Sequence, residues 1–384
     1  MDWLAGDAVR ATRGSMIRGT ERRGATPMCP NYRIARVALA CICVLALTAG
    51  LTGCAGDPGP PPTHTFEEVA PGVYFIVGTG SIFVQSNAML VLSDEDALVV
   101  DSHVTPAAAR ALLASIAEVT DKPVTHLVNT HYHFDHAHGN QAFPEDVAIL
   151  GHEFTRAMLM TDVMDQPTAA IFTGNIPDQI SAWKEEADAM EDGEEKDQKL
   201  NEIRVQEAHY VAIGETDPTP PNVTLTSRMT IHRTFEGRDR PIELLHLGRG
   251  HTGGDVVVLL PNERVVFTGD LVLAGAAYIG DAYVDEWLDT LDRFEELEFD
   301  LILPGHGPTF SDMAQVDALR QFLSDFWNQA SAAHEQGLSP EEAIAEIEWQ
   351  GFLATAPDAL KIHCVQTAYS RMDADGDPEN SDSA

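Results

Sequence analysis

Four short apolar runs in this chain each stop on a residue, or a loop, that a sheet interior does not hold. A-L-V-V closes on Asp101, V-T-H-L-V on the loop from Asn129, R-V-V-F-T-G on Asp270, and L-I-L-P-G on His306. Short runs of Val, Ile, Leu and Phe bounded by Gly, Asn and Asp read as buried strands. Polar groups set at the ends of adjacent strands converge on one edge of a sheet. Further runs of the same kind are V-Y-F-I-V, S-I-F-V and A-M-L-V-L before the first, and V-T-L-T, M-T-I-H-R-T-F, I-E-L-L-H-L and D-V-V-V-L-L before the third. Residues 143–150 read as one more strand. Helices are expected at 106–116, at 284–297 and through the C-terminal part, where Ser339, Pro340 and Glu342 form a capping-box start. Two β-rich halves with helices outside them pack as sheet on sheet, with helices on the outer faces.

One section departs from this pattern. From about 155 to 215 the chain is acidic, shows no β alternation, and spaces Ile180, Trp183, Ala187 and Met190 as one helical face. It reads as a helical insertion: a lid, a dimer contact or a solvated hairpin. Trp183 and Met190 are expected to pack on the domain rather than on substrate.

The chemistry concentrates in T-H-Y-H-F-D-H-A-H-G-N-Q, 130–141, which holds four of the chain's fifteen histidines. Past a strand end, extended backbone points His131 and His133 to one side. Imidazole with carboxylate and no cysteine suits zinc, and also iron or manganese. His131, His133, Asp135 and His136 are too close in sequence to serve one small ion together, so two ions or further ligands are needed. L-G-R-G-H-T-G-G-D sets His251 on a glycine-flanked turn, F-T-G-D sets Asp270 at a strand end, and L-P-G-H-G-P sets His306 at another.

Taken in order, H-x-H-x-D-H, G-H-T, T-G-D and G-H-G, preceded by the strand ending in Asp101, resemble the metallo-β-lactamase superfamily. The resemblance implies an αββα sandwich of two mixed β-sheets flanked by helices. It implies two Zn2+ ions (Fe or Mn being alternatives), one held by His131, His133 and His251, the other by Asp135, His136 and His306, with Asp270 bridging. Asp135 is then the candidate to orient the water or carry its proton, and Asp101 fixes the loop or a ligand ring without binding metal. His138, His152 and His246 fall outside the family's ligand positions and read as packing residues or as partners that support the ligand residues. Arg249 is expected in a salt bridge with one of the many acids.

A metallo-hydrolase of an ester, thioester, lactone or amide follows from this resemblance. Within it a β-lactam is disfavoured, because the family's cysteine-bearing lactamase subclass has Cys at Asp270 and a lysine near Leu273. Two other classes compete: an iron oxidoreductase of the same fold, similar to persulfide dioxygenases, and a non-catalytic exported binding protein.

Ahead of the domain, arginines precede an apolar run at 37–49 that is too short to span a bilayer, and L-T-G-C follows at 51–54. This is similar to a bacterial lipoprotein signal peptide, 1–54, with lipid on Cys54, a tether at 55–65, and export to the periplasmic face, the outer membrane being favoured. The domain is expected at 66–312, C-terminal helices at 313–372 and an acidic tail at 373–384. Cys364 alone remains in the mature part, so no internal disulfide forms there. The net charge of −36, carried with only five lysines, excludes nucleic acid as a partner and leaves a small-molecule substrate. Membrane contact is expected only through the lipid.

Overall fold

The computed structural model describes residues 61–375. The signal peptide, Cys54, most of the tether and nearly all of the acidic tail therefore lie outside the described residues.

Two mixed sheets form the centre of the fold. The first holds β1 (His64–Ala70), β2 (Val73–Gly78), β3 (Ala88–Leu92), β4 (Ala97–Val100), β5 (Val124–Val128), β6 (Ala148–His152) and β7 (Val223–Leu225), in that spatial order. The second runs β12 (Leu301–Pro304), β11 (Val265–Gly269), β10 (Val257–Leu260), β9 (Arg238–Leu245) and β8 (Arg228–Phe235). Each sheet joins an antiparallel ladder to parallel strands: β4–β5, β5–β6 and β6–β7 in one, β11–β12 in the other.

Side-chain alternation makes the layers. From β3, Met89 and Val91 enter the core between the sheets, while Ala88, Leu90 and Leu92 face α1 (Pro106–Val119). From β10, Val258 and Leu260 enter the same central core. Val257 and Leu259 meet the outer helices, α7 (Val284–Glu295), α8 (Ala314–Glu335) and α10 (Asp358–Asp375). Four layers, α-β-β-α, result, as the apolar runs require. Thr105 caps α1 through its side chain, and Ser339 with Glu342 closes the capping box of α9 (Pro340–Ala343).

Parallel neighbours finish on the same edge, which is what positions the site. β4 and β5 end together at Val100 and Val128, β11 and β12 at Gly269 and Pro304. The two sheets are tied there by Val256 N–H to the Thr130 carbonyl (2.8 Å) and Asn87 N–H to the Gly305 carbonyl (2.7 Å). Gly269 has φ +52°, and a Cβ on it would press into Thr130, so this join needs glycine.

Three expectations are corrected. S-I-F-V, 81–84, is not a strand: Thr79 and Ser81 turn the chain by donating to the Pro62 carbonyl, and Val84 packs against Val104, Ala108 and Phe134. β1 begins at His64, inside the expected tether, because it pairs with β2 along its length. Trp183 packs on neither domain nor site. Between β6 and β7 stand α3 (Glu153–Leu159), α4 (Pro167–Thr173), α5 (Ile176–Ala189) and α6 (Glu194–Ile213). Within them Ile176, Ile180, Ala187 and Ile203 form a core of their own, to which Trp183 belongs, with Lys199 over its ring. Among the described residues no helix is long and apolar enough to cross a membrane.

Candidate metal centre

All seven residues singled out in the sequence meet at the shared strand-end edge. His131 and His133 follow β5, and Asp135 and His136 lie in the one-turn α2 (Phe134–Ala137). His251 stands on the turn between β9 and β10. Asp255 closes that turn by accepting from the Thr252 backbone N–H (2.9 Å) and hydroxyl (2.6 Å). Asp270 follows β11 and His306 follows β12. Gly305, between them, has no room for a Cβ, which would run into Asp270 and His136.

The donor atoms fall into overlapping groups. Those of His131, His133 and His251 lie within 4.8 Å of one another, as do those of His131, His136 and Asp270, and those of Asp135, His136 and His306. Asp270 faces both sides: one oxygen is 3.4 Å from His136 Nε2, the other 3.2 Å from His306 Nε2 and 3.7 Å from His251 Nε2. Asp135 Oδ2 lies 3.1 Å from His306 Nε2 and 3.5 Å from His136 Nε2.

The outer hydrogen bonds assign the tautomer of four rings. His251 Nδ1 is 3.0 Å from the Tyr278 carbonyl, which only accepts, so Nδ1 carries the proton. His136 Nδ1 donates to Asp101 Oδ2 at 2.8 Å, and His133 Nε2 to Asp281 Oδ2 at 2.9 Å. The Thr130 hydroxyl donates to Asp101 (2.9 Å), so it accepts from His131 Nδ1 at 3.0 Å. With its inner nitrogen deprotonated, each ring therefore turns a lone pair inward. His133 Nδ1 and His251 Nε2 face each other at 2.9 Å, while His131 Nε2 and His136 Nε2 are buried without a hydrogen-bond partner. Lone pairs and carboxylates converging in a dry site repel one another unless a cation sits among them. This donor set fits divalent metal, and its nitrogen and oxygen chemistry suits zinc.

The electrostatics divide the site. Burial and neighbouring imidazoles push His131 well below the usual histidine range and His251 down to about 3. On the other side burial opposes charge, but Asp135, Asp270 and Asp101 outweigh it and hold His136 up at about 9. His306 is raised in the same way by Asp270 and Asp135. Against burial, His136 and His306 hold Asp135 down at about 2, and His306 and His136 depress Asp270.

Asp101 does what was expected of it: Oδ1 accepts from the Thr130 backbone N–H (2.8 Å) and Oδ2 from the His136 ring. Arg249 pairs with Glu286 at 2.6 Å. His152 and His246 stack on each other at 4.1 Å, and His138 is buried beside Phe134. Sequence reading missed Asp281 and the Tyr278 carbonyl. Neither has a local signal, since I-G-D-A-Y is an ordinary loop and a carbonyl carries no residue type.

Residues 82–306 match the sequence model of the metallo-β-lactamase superfamily. The chain is similar to a linear primary-alkylsulfatase of Pseudomonas sp. (strain ATCC 19151), 23% identical over 279 residues, which cover 69% of this chain and 50% of that protein. It is also similar to the 2,4-dinitroanisole O-demethylase subunit alpha of Nocardioides sp. (strain JS1661), 24% identical over 277 residues, 71% of this chain and 64% of that one. The chain thus spans about half the length of the first relative and under two-thirds of the second. A solved structure similar to it is the metallo-β-lactamase FIM-1 from Pseudomonas aeruginosa in the mono-zinc form: TM-score 0.46, 17% identity, covering 68% of this chain and 95% of that one.

Proposed function

Because the chain belongs to the metallo-β-lactamase superfamily, we propose that it is a dinuclear, zinc-dependent hydrolase of a small-molecule ester, in the broad sense that includes sulfate esters, thioesters and lactones. The observation that carries this reading is the ring of inward lone pairs: four imidazoles fixed from outside, with two ionised carboxylates and His306 closing the set. His131, His133 and His251 would hold one cation, Asp135, His136 and His306 the other, with Asp270 between them. Divalent metal held there would supply Lewis-acid chemistry, lowering the pKa of a bound water and polarising the substrate oxygen.

The chain's own residues do the rest. Asp101, Asp281 and the Tyr278 carbonyl keep three rings in register, so the centre does not reorganise during reaction. Asp135 stays ionised near neutral pH and is the group that would orient the water or carry its proton. His306 is 30% exposed, against at most 8% for the other side chains paired with it, so substrate reaches the centre from its side. No serine or cysteine nucleophile is needed.

Sulfate esters join the substrate class because one relative is named a linear primary-alkylsulfatase. Amides, β-lactams included, are the weakest members. Leu273 is buried in the outer core and offers no cation to a substrate carboxylate there.

Metal analysis of the purified chain, followed by screens with alkyl sulfates, lactones, thioesters and nitrocefin, tests the reading. We expect two zinc ions per chain and turnover of an ester-class substrate that His131→Ala abolishes. Iron with oxygen uptake, or a fully active His131→Ala variant, would overturn it. We also propose that the chain is exported and anchored by lipid on Cys54, on the strength of the arginines, the short apolar run and L-T-G-C. Cys54→Ala should move the protein from the membrane to the soluble fraction; unchanged partitioning would sink the anchor.

A further inference from the structure

Two of the three rings in the imidazole half are fixed by one short segment, 278–281. The Tyr278 carbonyl holds His251, and the Asp281 carboxylate holds His133. Asp281 Oδ2 also accepts from the Thr168 hydroxyl, at the start of α4 in the insertion. That hydroxyl in turn accepts from Tyr278 O–H at 2.8 Å. Asp281 Oδ1 lies 3.5 Å from His363 Nε2 on α10. On the same helix the Thr367 hydroxyl donates to the Gly280 carbonyl, and a Cβ on Gly280 would strike Tyr278 and His363. A loop of four residues is thereby gripped from both sides, by the inserted helices and by a C-terminal helix beyond residue 306, where the family match ends.

From this geometry we propose that Asp281 is a positioning residue that sets metal affinity in the imidazole half, and that α4 and α10 act on the centre by holding it. The proposal rests on the metal-centre reading above. The mechanism is tautomer and ring control. His133 has two nitrogens, and only the one turned inward faces His131 and His251. A carboxylate on Nε2 accepts and never donates, so it keeps the proton outside and the lone pair inside. It also makes the ring a stronger electron donor. Without that acceptor the ring can rotate or exchange tautomers, and the inner lone pair is lost part of the time. Thr168 spends its one hydrogen on Asp281 and so fixes the carboxylate plane. The insertion then contributes to the centre without supplying a ligand.

Zinc competition against a chromophoric chelator, with metal-stripped wild type, Asp281→Asn and Thr168→Val, decides the matter. Asp281→Asn keeps the shape but removes the charge and lets the side chain donate as well as accept. We expect one of two zinc equivalents to weaken by about 10- to 100-fold, the other to stay close to wild type, and the metal-free melting temperature to stay close to wild type. Thr168→Val should shift the same equivalent by a smaller factor. Unchanged affinities in Asp281→Asn, or a fall in metal-free melting temperature alone, would overturn the positioning role. An unchanged Thr168→Val would overturn the link to the insertion. A wild type that binds no zinc would remove the metal reading and this proposal with it.

Discussion

The two halves of the centre solve one problem with different chemistry. The half made by His131, His133 and His251 is built of imidazoles alone, with every outer N–H spent on a fixed acceptor. The half made by Asp135, His136 and His306, with Asp270 against it, uses charge. Its carboxylates draw protons onto His136 and His306, so in the absence of metal a proton stands where a cation would. In the first half, His131 and His251 stay proton-free across the neutral range. The second is strongly attractive to cations but must release protons to bind them.

The contrast can be broken most completely at His131, which belongs to groups on both sides. His131→Ala should empty both halves and lower kcat/KM by roughly 10³-fold or more, about 4 kcal/mol of transition-state stabilisation. Steady-state rates beside metal content would show it; loss of one metal alone would mean that the halves are independent of His131.

Acid should separate the halves. His136 keeps its proton until the pH passes about 9, so below that value zinc must expel it. His251, held at about 3, stays proton-free through the neutral range. Lowering pH from 9 to 6 should therefore weaken the zinc equivalent held by His136 by up to about tenfold per pH unit for each proton released, and weaken the other by less. Chelator competition across that range would reveal it. Parallel loss of both equivalents would contradict the division.

A finer test lies in the outer acceptor of the charged half. Asp101→Asn keeps an acceptor near His136 but removes a buried charge. It should weaken that half's zinc by about 10- to 100-fold, visible in the same titration, with the imidazole half unmoved. The smallest effect belongs to the inserted hairpin. Trp183→Ala, in a core that the hairpin keeps to itself, should cost about 1 kcal/mol of stability and leave both zinc affinities within error. Denaturant melts beside the zinc titration measure both.

What could be read in the sequence follows from how local each signal is. Asp101, Asp270 and His306 were legible because a strand that stops on a polar residue is recognisable within a handful of positions. The four layers were legible because runs such as A-M-L-V-L alternate between two cores. S-I-F-V was misread because the same residue types also line a loop, where Val84 packs on Phe134 rather than in a sheet. Trp183 was misread because helical spacing marks an apolar face without saying what covers it. Asp281 was invisible: its partner His133 lies 148 residues away, and no spacing rule joins them.

The central claim is that lone pairs and carboxylates from distant strand ends converge around two cations. Titrating metal-stripped protein with zinc while following binding heat and recovery of hydrolysis tests it most directly. We expect two equivalents to bind per chain, proton release to accompany one of them, and turnover to return with occupancy. Binding of no zinc, or undiminished hydrolysis by stripped protein in excess chelator, would contradict it.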